Sequence, residues 1–161
     1  MPSPAYPQLI FGGSTIGDAY STAQSVTDLL KPLKSLGFDE IDTAALYPVT
    51  DMGASERLLG EVGAKSLGFD VDTKILVTSK DANGTMEPTK IEKSVADSLG
   101  RLKFDGQGIN VLHCHVPDFT TPIKDQASTL NVTHYLTRKF KNKREITLKF
   151  ATRSLNLLRR I

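Results

Sequence analysis

Short apolar runs recur along the first 115 residues, and between them apolar positions fall every three or four residues. Four of the runs read as strands. The first, Leu9-Ile-Phe-Gly-Gly13, ends in glycines that suit a tight turn or a close approach by a ligand. The second, Phe38-Asp-Glu-Ile-Asp42-Thr43, is less apolar than a buried strand should be, and its placement leans on the next two. Those are Ile75-Leu-Val-Thr-Ser-Lys80 and Ile109-Asn-Val-Leu-His-Cys-His115, whose near-continuous apolar character suits strands covered on both faces.

The intervening segments carry helical periodicity. Residues 21–36 place Val26, Leu29, Leu30 and Leu33 on one face, with Gly37 as a C-terminal cap and Pro32 expected to kink or shorten the helix. Ala54 to Ala64 holds Leu58, Leu59 and Val62 on one stripe. Thr89-Lys-Ile-Glu92 has the form of a capping box ahead of Ile91, Val95, Leu99 and Leu102. Thr121-Pro122 reads as an N-cap and first helical position. The order β-α-β-α-β-α-β-α predicts a parallel sheet with right-handed crossovers.

Composition bounds this picture. The chain has 161 residues, enough for one domain, and its 39% hydrophobic and 24% charged content is too balanced for disorder. No apolar run approaches the ~20 residues that span a bilayer, and the start lacks the basic and apolar regions of a secretory signal. One cysteine, Cys114, excludes an internal disulfide and fits a reducing, cytoplasmic setting. The sequons at Asn83 and Asn131 are read as chance matches.

Charge changes the picture more. Residues 1–127 carry a net −6, whereas residues 128–161 carry +8 with Glu145 as their only acid. This break divides the chain into a sheet-and-helix region, 1–127, and a basic tail, 128–161. Within the tail, residues 145–161 fit a strand (Ile146, Leu148, Phe150) and a basic amphipathic helix (Ile146, Phe150, Leu157, Ile161) equally well.

Polar residues stand where three successive strands should end: Asp42 with Tyr47 five residues on, then Lys80, then His115. Parallel α/β folds place their chemistry at the carboxyl ends of strands. A tyrosine phenol, with an ordinary pKa near ~10, needs help to act as an acid at neutral pH. An ammonium such as Lys80 would lower that pKa, Asp42 would balance the ammonium, and His115 would hydrogen-bond a substrate carbonyl. Together they could polarise a carbonyl and protonate the alkoxide as hydride arrives. Each residue alone has a plainer reading: Asp42 as a helix cap, Tyr47 as a rim aromatic, Lys80 as a solvated strand end. His113 and His115 share a strand face, which with Asp118 invites a metal reading; no second ligand cluster supports it, and no metal is expected. Cys114 points to the opposite face, as a small core residue.

Phe38-Asp-Glu-Ile-Asp42-Thr-Ala-Ala-Leu-Tyr47 followed by Ser55-Glu56-Arg-Leu-Leu-Gly60 resembles the aldo-keto reductases, whose second strand ends in Asp with Tyr shortly after and a Ser-Glu helix start. Val77-Thr-Ser-Lys80 resembles that family's lysine strand, and Leu112-His-Cys-His115-Val-Pro-Asp118 its histidine strand. The His-x-Pro-Asp form, with Asp-Thr-Ala and Leu-Tyr, is most similar to the aflatoxin-aldehyde-reductase-like branch. The resemblance covers roughly residues 8–127. It implies a catalytic tetrad of Asp42, Tyr47, Lys80 and His115, with Asp42 also at the cofactor. It further implies NADPH-dependent reduction of a small-molecule aldehyde or ketone, on a TIM (β/α)8 barrel.

The pattern then departs from that family. Four βα units make the N-terminal half of such a barrel, which usually takes about 250 residues. Thr137 to Arg144 passes the expected fifth strand without its Gly-apolar-Ser-Asn signature. Most of the family's cofactor contacts come from strands five to eight. Three explanations follow: a truncated or frame-shifted reductase without activity, a half-barrel completed by homo-oligomerisation, or a basic-tailed protein that binds an acidic partner. Nucleic acid is the less favoured partner of that last kind, because the tail shows no binding motif.

Overall fold

The computed structural model describes residues 7–77, 79–104 and 108–138, with side chains described as far as Asn131. The basic stretch 139–161, with the strand-or-helix alternative at 145–161, lies outside the described residues.

Four parallel strands lie in chain order across one sheet: β1 (Ile10–Gly12), β2 (Glu40–Asp42), β3 (Asp70–Lys74) and β4 (Leu112–His113). Register pairs Gly12 with Asp42, Asp42 with Asp72, and Lys74 with His113. Each strand is followed by a helix: α1 (Ala23–Ser35), α2 (Ala54–Glu61), α3 (Pro88–Leu102) and α4 (Ile123–Arg138). This is the expected arrangement of four βα units of a barrel.

The sheet has two unlike faces, since side chains alternate along a strand. On the outer face Ile41 and Val71 join Val26, Leu30 and Leu33 of α1, Leu59 of α2 and Phe69 in one apolar cluster. Ile75 joins Ile91 and Val95 of α3, Met86 and Leu130 in a second, with Cys114 packed against it. Cys114 therefore fills the core role expected of it, and burial pushes its thiol pKa up. Thr43 and Thr73 are the polar members of the outer face. Thr43 Oγ1 lies 2.7 Å from Ser55 Oγ at the start of α2, and Thr73 Oγ1 donates to Glu56 Oε1 at 2.5 Å. The other carboxylate oxygen of the fully buried Glu56 takes Arg101 Nε at 2.6 Å, tying α2 to α3. The two helices approach so closely at Gly60 that a Cβ there would sit 2.3 Å from the Arg101 carbonyl oxygen.

α1 begins with a reciprocal capping box between Thr22 and Ser25 and runs through Pro32 to Ser35. Its end is a Schellman motif: Phe38 N donates to Leu33 O and Gly37 N to Lys34 O, with Gly37 at φ 86°.

Three sequence expectations need correction. The third strand is Asp70–Lys74, not Ile75–Lys80; residues 79–81 form a turn instead. An apolar run was expected, but β3 alternates Asp70, Asp72 and Lys74 on the inner face with Val71 and Thr73 on the outer. α3 begins at Pro88 with Glu87 as N-cap, so Thr89 does not cap it. A tertiary bond fixes that entry: Met86 N donates to Asp118 Oδ2 at 2.9 Å. Thr121 does not cap α4 either, because its hydroxyl donates to Asp118 at 2.7 Å. α4 is one helix from Ile123 to Arg138, with Leu130 in the second apolar cluster.

Candidate active site

The inner face of β2, β3 and β4 carries Glu40 and Asp42, Asp72 and Lys74, and His113, with His115 two residues further. Barrel interiors are usually filled by bulky branched residues; here two successive layers are polar. The upper layer, at the carboxyl ends of the strands, is the candidate site.

Lys74 is its centre. The ammonium donates to Asp42 Oδ1 at 2.6 Å and to the Thr43 carbonyl at 2.7 Å. It also lies 5.1 Å from the centroid of the Tyr47 ring, within cation–π range. The ladder between β2 and β3 continues past Asp42, with the Ala45 amide 3.5 Å from the Lys74 carbonyl oxygen. The chain then turns, and Tyr47 is fixed by its backbone: its N–H donates to Ala44 O at 3.0 Å and its carbonyl accepts Ser55 N at 3.1 Å. That second bond satisfies an amide in the first turn of α2, which lacks a side-chain cap. The His115 ring meets Tyr47 edge-on, with centroids 5.5 Å apart at 89°.

Asp42, Tyr47 and His115 thus converge as expected, and the lysine beside them is Lys74. Lys80 is exposed in the turn after the strand and makes none of these contacts. The apolar run Ile75-Leu-Val follows the strand and does not form it. The alternation Asp70-Val-Asp-Thr-Lys74, matching Glu40-Ile-Asp42 on the strand before, was the signal that could have found it.

Electrostatics also differ from expectation. The Tyr47 phenol pKa is raised, first by burial and then by the negative charge of Asp42. The Lys74 ammonium, 5.1 Å from the ring centroid, does not reverse that direction. The His115 pKa is lowered by burial and by the nearby Lys74, with Asp42 opposing. At neutral pH the tyrosine is therefore a phenol and the histidine a neutral imidazole. Among the described residues, His115 Nδ1 is buried without a hydrogen-bond partner.

Asp118 is not available as a metal ligand. Burial alone would raise its pKa, but Met86 N, the Thr121 hydroxyl and amide, and the Thr120 amide and hydroxyl all donate to it. Those bonds hold the carboxyl well below the usual carboxylate range. No group of three potential metal-ligating side chains occurs among the described residues. No helix among them is long and apolar enough to cross a membrane.

A parallel sheet with its helices on one side and a Lys–Asp pair, a phenol and an imidazole at its carboxyl edge defines a half of a (β/α)8 barrel bearing a polar site. The chain belongs to the aldo/keto reductase family, whose model matches residues 8–134. Two solved structures resemble it. Aldo-keto reductase AKR11C1 from Bacillus halodurans, in its holo form, superposes with a TM-score of 0.66 at 20% identity, over 81% of this chain and 43% of that one. The thermostable aldo-keto reductase Tm1743, in complex with the inhibitor epalrestat, gives 0.65 at 22%, over 84% and 48%. The chain thus spans less than half the length of both. No curated protein matches it.

Proposed function

We propose that this protein carries the proton-transfer half of an NADPH-dependent carbonyl reductase, acting on a small-molecule aldehyde or ketone. One observation supports this reading above the others: Lys74, held by Asp42, stands over Tyr47 while His115 packs against the same ring. The His115-Val-Pro-Asp118 stretch favours the aflatoxin-aldehyde-reductase-like branch, and a cytosolic setting goes with it.

The residues fit the reacting end of a nicotinamide cofactor: His115, whose buried Nδ1 has no partner among the described residues, packs against the Tyr47 ring beside a half-buried ion pair. Asp42 is the residue we assign to contact that end. When bound, the cofactor supplies the hydride that reaches the carbonyl carbon.

The chain's own residues do the rest. Tyr47 enters protonated, because burial and Asp42 both hold its proton on. As negative charge develops on the carbonyl oxygen, the phenol donates that proton and becomes a phenolate. The Lys74 ammonium beside the ring stabilises the phenolate, and Asp42 and the Thr43 carbonyl fix where that ammonium sits. His115, neutral, offers a ring N–H to the same carbonyl oxygen and orients it toward Tyr47.

The test is turnover of an aromatic aldehyde with NADPH by the full chain. Tyr47→Phe should lose about 10²–10⁴-fold in rate with its fold intact, the range general acid catalysis contributes. Equal turnover by that variant would end the proposal.

A further inference from the structure

β4 does not join β3 by a regular ladder. In a parallel pair, the residue whose carbonyl accepts an N–H from the partner strand sends its own N–H to the carbonyl two positions earlier on that partner. Val111 O accepts Thr73 N at 3.0 Å, so regular pairing would direct Val111 N to Val71 O. That carbonyl is taken by Asn110 N at 2.9 Å. Two residues therefore stand opposite one, which is a bulge at the entrance to β4. The displaced Val111 amide goes to Asp72 Oδ1 at 3.0 Å, and Asn110 Nδ2 reaches the same oxygen at 2.9 Å. Beyond the bulge the ladder is regular, with Ile75 N on His113 O at 2.9 Å.

The alternative register is easy to state. Continued without a bulge from the Asn110–Val71 bond, every later residue would shift by one and change face. Leu112 and Cys114 would then face inward, and His113 and His115 would turn to the helices. The bulged register leaves one amide without a ladder partner, and Asp72 supplies the acceptor. Asp72 is only 2% exposed, on a strand where a buried carboxylate is otherwise costly.

We propose that Asp72 is a positioning residue: by holding both residues of the bulge, its carboxylate locks β4 in the register that turns His115, and not Cys114, toward Tyr47 and Lys74. The part His115 then plays rests on the reductase reading; the register does not. The second Asp72 oxygen faces His113 Nε2 at 3.8 Å, and the carboxyl shares a hydrogen bond with Glu40. Burial raises the Asp72 pKa, but the bonds from His113, Glu40 and Asn110 outweigh it and keep the group an anionic acceptor.

Cys114, the sole cysteine, reports the register directly. In the native full chain it packs against the second apolar cluster, and an aromatic disulfide reagent should label it slowly. Asp72→Leu should label about tenfold faster or more while still folded, with its aldehyde turnover reduced. Asp72→Asn keeps an acceptor oxygen and should stay within about threefold of the parent. Val95→Ala, a core variant assayed at matched stability, measures labelling through unfolding alone. Asp72→Leu labelling no faster than Val95→Ala would overturn the proposal, as would Asn and Leu behaving alike. The parent protein gives an independent reading should Asp72→Leu fail to fold: the Val111 amide should resist hydrogen exchange as the Ile75 amide does, and rapid exchange would overturn the register lock. A parent that reduces no carbonyl would count against the reductase reading alone, since labelling and exchange still decide the register.

Discussion

The two faces of the same three strands have been put to opposite uses. Outward, Ile41, Val71, Ile75 and Cys114 pack beneath the helices, with Thr43 and Thr73 bonded to α2. Inward, Glu40, Asp42, Asp72, Lys74, His113 and His115 form two polar layers, linked across the strands by the Lys74–Asp42 ion pair and by hydrogen bonds. A period of two residues separates the apolar packing from the polar layers. Single substitutions should therefore be able to damage one face and spare the other.

The largest effect on the outer face belongs to Arg101→Met. It strands the fully buried Glu56 carboxylate with only the Thr73 hydroxyl, which should cost about 3–5 kcal/mol in a urea titration. Adding Glu56→Gln should recover part of the loss. Any Tyr47-dependent turnover per folded molecule should be unchanged, and a matching loss of turnover would erase the distinction between the faces.

Asp118 comes next and sharpens the comparison through pH. Its folded pKa lies below its unfolded value, so its contribution is fully present above about pH 4, the ordinary aspartate range. That contribution is lost as pH falls from there toward the folded value. Asp118→Asn should thus be less stable than the parent by about 1–3 kcal/mol at neutral pH, with the gap closing in acid. A gap that widens on acidification would contradict the assignment.

Smallest is Ile75→Val, which removes one methylene from the outer face and should cost about 0.5–1.5 kcal/mol without changing turnover.

Much of this was legible in the sequence, and the exceptions have one cause. The order of the elements, the α1 stripe of Val26, Leu30 and Leu33, and the convergence of Asp42, Tyr47 and His115 could be read because each rests on local periodicity or on strand-end spacing. β3 could not be read the same way. Buried parallel strands are expected to be apolar throughout, whereas the inner half of this one includes Asp72 and Lys74, satisfied by residues more than 30 positions away. The same blindness hid the bulge, because the bond from Val111 to Asp72 joins residues 39 apart. The Thr89 capping box failed for a related reason: Asp118, far along the chain, fixes the entry to α3. Local pattern finds the outer face, and long-range polar pairing sets the inner one.

The central claim is that the inner face holds one proton-transfer site with Lys74 at its centre. The most direct measurement is NADPH-dependent aldehyde turnover by Lys74→Met and Lys80→Met, assayed side by side in the full chain. Lys74→Met should fall by about 10²-fold or more, the scale of a lost electrostatic partner at the reacting oxygen. Lys80→Met, altered only in an exposed turn, should stay within about twofold. Loss of turnover in Lys80→Met with Lys74→Met unaffected would contradict the account.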